Sequence, residues 1–147
     1  MSDKAAIRND VDSRISALAP EERIVLDAQI GTHITHLPFW HDATVVAGYI
    51  AIDDEVDLQA VLRAAHAEGK GVALPRVEDR GGEMTFRRVD EFPLGLERHR
   101  FGILQPTVDA PRLDDFARVL LLVPGRAFDR TGRRVGRGAG YYDRFFS

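Results

Sequence analysis

"ATVVAGYIAIDDEVDLQAVLRAAHAEGKGVALP" runs from Ala43 to Pro75, and its reading decides the fold. It opens on "ATVVAGYIAI", rich in β-branched residues, which predicts a buried strand over 43–52. "DLQAVLRAAHAEG" then carries helical spacing, with Leu58, Val61, Leu62 and Ala65 on one face and Gly69 as the C-terminal stop. "GVALP" returns as a second strand. Strand, helix and strand in succession form the unit from which parallel sheets are built, since parallel neighbours need a crossover between them.

Working toward the start, Ile7, Val11, Ile15 and Leu18 recur at helical spacing among charges, predicting a helix over 3–18. "APEER" starts a second helix. Pro20 suits its first turn, and Glu21 and Glu22 complement its positive end. Ile24, Leu26, Ile30, Ile34 and Leu37 form its expected inner face, and Pro38 ends it. Trp40, beside Phe39, reads as a core anchor.

Toward the end, "EDRGGE" is a polar turn and "MTFRRV" alternates like a half-exposed strand. Residues 90–112, with three prolines and two glycines, read as an irregular connection. "ARVLLLVPG" is the most apolar run and suits a central strand covered on both faces. The alternation as a whole predicts a three-layer α/β domain with a mostly parallel sheet.

Bulk properties narrow the function. The 147 residues suit one domain, and 44% hydrophobic content is that of a globular chain rather than a disordered one. A formal charge of -3 provides no global field toward nucleic acid or an anionic membrane, so any polyanion site must be local. Without cysteine there is no disulfide, thiolate nucleophile or thiolate metal site. The opening "MSDKAAIRND" lacks the apolar core of a secretory signal, and the expected location is cytoplasmic. His33, His36 and His41 are loosely spaced with no acid among them, which does not point to a metal centre.

"GRRVGRGAGYYDRFF" (132–146) follows the last strand and the turn "PGRAFDRTG", beyond a strand's carboxyl end, where ligands collect in α/β sheets. Alternating Gly136, Gly138 and Gly140 leave backbone N–H groups unshielded, able to wrap an oxyanion, and a helix would begin at Tyr141. Arg134 and Arg137 would add charge-assisted bonds to phosphate, and Asp143 could hold a magnesium ion. The residues alone leave two readings open, an anion cradle and a surface loop with glycine turns. An arginine–glycine tail for nucleic acid is a third and weaker one.

With its approach, "LLLVPGRAFDRTGRRVGRGAGYYDRFF" resembles the signature of the 5-formyltetrahydrofolate cyclo-ligase family: a strand, Val-Pro-Gly, Ala-Phe-Asp, Gly-x-Arg, then Gly-Arg-Gly-x-Gly-Tyr-Tyr-Asp. The likeness extends upstream to the basic pair Lys4 and Arg8, to Glu55 in "YIAIDDEVDL", and to "GVALPRV" and "FGILQP". It implies a Rossmann-like α/β/α fold over residues 1–147 and an ATP- and Mg2+-dependent conversion of 5-formyltetrahydrofolate to 5,10-methenyltetrahydrofolate. Carried over by motif, Lys4, Arg8, Arg134, Gly136, Arg137, Gly138, Ala139, Gly140, Tyr141 and Tyr142 would hold ATP. Arg8, Ile50, Glu55, Arg137 and Tyr141 would face the folate. Arg137 would stabilise the transferring phosphoryl group, and Asp143 would bind magnesium.

Two departures accompany the likeness. Gln105 stands where the family tends to have glutamate. The family also continues past the Tyr-Tyr-Asp helix through strands that finish the sheet and supply a second acidic metal ligand, whereas this sequence ends at Ser147. The expectation is thus a C-terminally short cyclo-ligase domain, a monomer whose route to any association is the uncompleted sheet. Its partner would be a small folate, with neither nucleic acid nor membrane. A second reading is a catalytically impaired homologue that binds ATP or folate as a regulatory protein.

Several of these residues also have plainer explanations. Lys4 and Arg8, one turn apart, would suit a solvated basic face. Glu55 could cap the next helix, with Asp54 and Asp57 competing for that position. Tyr141, Tyr142, Phe145 and Phe146 divide between core and site wall.

Overall fold

The computed structural model describes residues 3–78, 82–91, 95–99 and 102–147. Parts of "EDRGGE" and "FGILQP", and of the connection over 90–112, therefore lie outside the described residues. The chain begins with three helices, α1 (Asp3–Ser16), α2 (Pro20–Thr35) and α3 (Pro38–Asp42). Strand β1 (Val45–Ala47), helix α4 (Gln59–Ala67), and strands β2 (Gly71–Val77) and β3 (Met84–Arg88) follow. Next come β4 (Leu96–Arg98), β5 (Leu104–Pro106), β6 (Arg112–Leu113) and β7 (Val119–Leu121). The described chain closes with β8 (Ala127–Phe128), β9 (Arg134–Val135) and α5 (Tyr141–Phe146).

Five strands form the main sheet in the order β6-β3-β2-β1-β7. β1 lies parallel to both β2 and β7, while β3 is antiparallel to β2 and to β6. Four of the five strands therefore point the same way, and only β3 runs against them. Side chains alternate across this sheet as the pleat requires. Val46, Val72 and Leu74 join Leu58, Val61, Leu62, Ala65 and Trp40 on one face. Val45, Ala47, Ala73, Met84 and Phe86 meet Tyr142 and Phe145 of α5 on the other. Helices thus cover both faces, giving three layers in a mixed α/β fold with a mostly parallel sheet.

α4 matches the sequence closely. Val61, Leu62 and Ala65 are buried, and each large apolar side chain so placed contributes about 1.5–3 kcal/mol. Its end is a Schellman motif: Gly69 N–H donates to His66 O at 3.0 Å and Lys70 N–H to Ala65 O at 2.9 Å. Gly69 has φ +80°, which a residue with a Cβ adopts only under strain. At the start of α2, Glu22 reaches back to accept from Ala19 N–H at 3.1 Å, as expected of an acid in the first turn.

Other expectations are corrected. The strand read over 43–52 pairs only across Val45–Ala47, after which the chain leaves the sheet. The expected inner face of α2 is largely outward, with Ile24 70% exposed and only Ile34 packed on the core. α1 buries no residue. "ARVLLLVPG" yields the edge strand β7, half-buried rather than central, because an apolar run carries no information about its order in a sheet. "MTFRRV" is more buried than its alternation suggested, since Met84, Thr85 and Phe86 are all enclosed. The connection over 90–112 contains three short strands, and "PGRAFDRTG" enters a second hairpin, β8–β9. Among the described residues no helix is long and apolar enough to cross a membrane.

Candidate active site

Where β1 stops, its chain turns into the wall of a cavity of about 400 Å³ at the carboxyl end of the parallel strands. The apolar residues misread as strand, Tyr49, Ile50 and Ile52, line it. The turn beyond them fixes Glu55, whose Oε1 accepts from Ile52 N–H at 2.9 Å. Its side chain is 11% exposed, and its other oxygen stands 4.0 Å from Arg137 Nη1. Glu55 is not the cap of α4. The N-cap is Leu58, without a side-chain cap bond, and Asp57 just before it accepts from Gln59 N–H at 2.9 Å.

The opposite wall is the glycine loop. Gly138 (φ +121°) and Gly140 (φ +77°) occupy backbone conformations that favour glycine, and Tyr141 opens α5 directly behind them. Among the described residues, the backbone N–H groups of 137–140 donate to no backbone carbonyl. Several consecutive unpaired donors aimed at a cleft are the makings of an anion site. The loop's carbonyls, by contrast, are used: Arg8 Nε donates to Gly136 O at 2.7 Å and Arg144 Nη1 to Ala139 O at 2.9 Å.

Arg134 is pinned by donating to Pro124 O at 2.8 Å and to Asp143 Oδ1 at 2.9 Å, with its guanidinium 5.7 Å from the Tyr142 ring centre. Arg137 turns toward the acidic turn, 3.1 Å from Asp53 and 3.6 Å from Asp54. The Tyr142 hydroxyl is buried without a hydrogen-bond partner in the protein. Burial pushes its phenol up, and the Glu55 carboxylate adds to the shift. Tyr49 is raised in the same order, so both phenols keep their protons and present neutral O–H groups.

Every site residue carried over from the resemblance lines this one cavity: Lys4 and Arg8 from α1, Ile50 and Glu55 from the segment after β1, and Arg134, Gly136, Arg137, Gly138, Ala139, Gly140, Tyr141, Tyr142 and Asp143 from the loop and α5. Several of them are already engaged, Arg137 with Asp53, Asp143 with Arg134, and Arg8 with Gly136 O. Sequence reasoning missed the floor, formed by Pro75, Val77 and Met84 at the ends of β2 and β3, and the side made by Ile103, Leu104 and Gln105. Gln105 is buried and accepts from Val77 N–H at 3.0 Å, tying the β4–β5 hairpin to β2. Arg76 reinforces that tie by donating to Glu97 and to Pro106 O. A buried arginine inside an otherwise apolar strand was the available signal.

Asp143 offers one exposed carboxylate. Among the described residues no group of three or more acids and histidines could hold a metal unaided. The donor set fits magnesium, which uses one or two carboxylates and takes its remaining ligands from phosphate and water.

The 5-formyltetrahydrofolate cyclo-ligase family profile matches residues 1–147. A mitochondrial 5-formyltetrahydrofolate cyclo-ligase of Arabidopsis thaliana is 31% identical across 97% of this chain, which spans 56% of that protein. The Escherichia coli K12 5-formyltetrahydrofolate cyclo-ligase is also 31% identical, with 91% of this chain and 74% of that protein covered. Among solved structures, the Aquifex aeolicus 5,10-methenyltetrahydrofolate synthetase superposes with a TM-score of 0.82 at 34% identity, covering 97% of this chain and 71% of that one.

Proposed function

The chain belongs to the 5-formyltetrahydrofolate cyclo-ligase family, and from that premise we propose that its cavity closes the ring of 5-formyltetrahydrofolate to give 5,10-methenyltetrahydrofolate at the expense of ATP. Residues 1–147 are proposed to act as one unit. The observation that carries the reading is the meeting of unpaired backbone N–H groups at 137–140 with Lys4, Arg8 and Arg134 around one cleft.

A formamide oxygen is a poor leaving group. Transfer of the γ-phosphoryl group to it makes a good one. N10 then attacks the activated carbon, phosphate departs carrying the former formyl oxygen, and N10 gives up its proton. Phosphoryl transfer asks for positioning and charge neutralisation rather than a protein nucleophile, which suits a cysteine-free site. The loop N–H groups, Lys4, Arg8 and Arg134 would hold the phosphates, and Arg137 would stabilise the charge that develops in transfer. Magnesium bound with the nucleotide would supply further neutralisation, with Asp143 as its carboxylate ligand. Glu55, with Ile50 beside it, would accept from the amino and amide N–H donors of the pterin. Tyr141 would line the folate side, and the unpartnered Tyr142 hydroxyl offers a neutral hydrogen-bonding group.

The test is the rise of methenyltetrahydrofolate absorbance when the 147-residue chain meets 5-formyltetrahydrofolate, ATP and magnesium. Arg137→Ala should lower kcat/KM about 10²–10³-fold with the melting temperature unchanged. A second reading, a homologue that binds without turning over, draws on the engagement of Arg137 and Asp143 in ion pairs within the chain. A folded sample that binds ATP and yields no product would favour it.

A further inference from the structure

α1 brings Lys4 and Arg8 to the cavity, yet no residue of this helix is buried. Helices of globular proteins are ordinarily fixed by burying an apolar stripe. Ile7, the first member of the expected stripe, is exposed, and Val11 and Ile15 are only partly covered. Packing this thin leaves a directional contact to set the rotation and distance at which Lys4 and Arg8 meet a ligand.

Arg126, at the entry to β8, has the geometry to do so. Its side chain is 7% exposed. The guanidinium engages Asp54 in bidentate fashion, at 2.7 Å and 2.9 Å, and Nη2 also donates to Asp12 of α1. A planar fork between two carboxylates is the most directional ion pair a protein can build. Lys4, Arg8 and Asp12 follow one another at intervals of four residues and so share one stripe of α1. Fixing Asp12 therefore fixes the azimuth of the other two, about 12 Å along the axis for Lys4. The hollow around this contact is lined by Arg8, Asp12, Asp53, Asp54, Arg126 and Arg137, three acids against three arginines. So balanced a set has no net charge with which to attract a ligand. It has the composition of a fastening.

We propose that Asp12, Arg126 and Asp54 form a clasp that docks α1 onto the turn carrying Glu55, making Arg126 and Asp12 positioning residues for the phosphate contacts of Lys4 and Arg8. The ligand's identity rests on the functional reading above; the clasp itself does not. Arg126 acts through both arms, because Asp54 adjoins Glu55 in sequence and lies 3.6 Å from Arg137.

Asp12→Asn is the cleanest probe, since it leaves Arg126 neutralised by Asp54. Hydrogen exchange at the α1 amides should quicken about fivefold while β2 amides stay protected. KM for ATP should rise by about the same factor with kcat held within about twofold, the split expected when binding geometry alone is loosened. Arg126→Lys, which keeps the charge and loses the fork, should fall between Asp12→Asn and the unmodified chain. Unchanged α1 exchange in Asp12→Asn would overturn the clasp. Faster exchange with an unchanged KM for ATP would overturn the positioning role. If the unmodified chain showed no turnover, the functional reading would fall separately, and α1 exchange would still decide the clasp.

Discussion

α4 belongs to the scaffold and α1 to the wall of the cavity, and they are held by opposite means. α4, nine residues long, buries three of them against β1 and β2 and ends in a well-formed glycine cap. α1, fourteen residues long, buries none and is fastened by Arg8 to Gly136 O and by Asp12 to Arg126. Apolar burial is strong and decides which face turns inward, whereas directional ion pairs are weaker and fix the finer placement of individual side chains. The scaffold is built by the first kind of force, and the part of the site that must meet a charged ligand by the second.

The largest test of that contrast is Leu62→Ala. Leu62 is fully buried between α4 and the sheet, and its truncation should cost about 2–5 kcal/mol in denaturant unfolding. A loss below about 1 kcal/mol would mean that α4 is not the pillar its burial suggests.

A smaller effect should come from pH on the other side. The hydrogen bonds from Arg126 hold the Asp54 carboxyl below the usual carboxylate range, against the opposing effect of burial. A carboxyl depressed in the folded state contributes stability that is fully present above its unfolded value and lost as pH falls through its folded one. The stability gap between the unmodified chain and Asp54→Asn, about 1 kcal/mol near neutrality, should therefore hold steady down to about pH 4 and close only below it. A gap that narrowed between pH 8 and 6 would contradict the assignment.

Salt should produce the mildest change. Raising ionic strength from 0.1 M to 1 M shortens the screening length to about 3 Å, so α1 amides should exchange up to about twofold faster while α4 amides do not respond. Equal responses in the two helices would erase the distinction.

The sequence made the locally encoded parts legible. α4, its stop at Gly69, the second strand and the glycine loop leading into α5 are each specified by neighbours within a few residues, through helical spacing or through a φ that only glycine adopts easily. All the cavity residues carried over from the motif do meet in space. What stayed hidden was set by distant partners. Tyr49, Ile50 and Ile52 read as strand because a cavity wall and a sheet core select the same apolar residues. Ile24 read as inward because periodicity shows that a face exists, not what covers it. Arg126 was invisible, its partners Asp12 and Asp54 standing 114 and 72 positions away with no local pattern to announce them.

The bond from Arg8 to Gly136 O joins residues 128 positions apart, and it bears on the order of events during synthesis. The segment from α2 to β3 can make its core contacts from sequence that is already out, since β1, α4 and β2 are neighbours along the chain. The cleft cannot close until the glycine loop has been translated and brought back to α1. Until then Lys4 and Arg8 belong to a segment awaiting its counterpart, and closing so long a loop comes late because its entropy is lost before the contact rewards it. A nascent chain halted before residue 134 would thus carry a recognisable scaffold and no cleft.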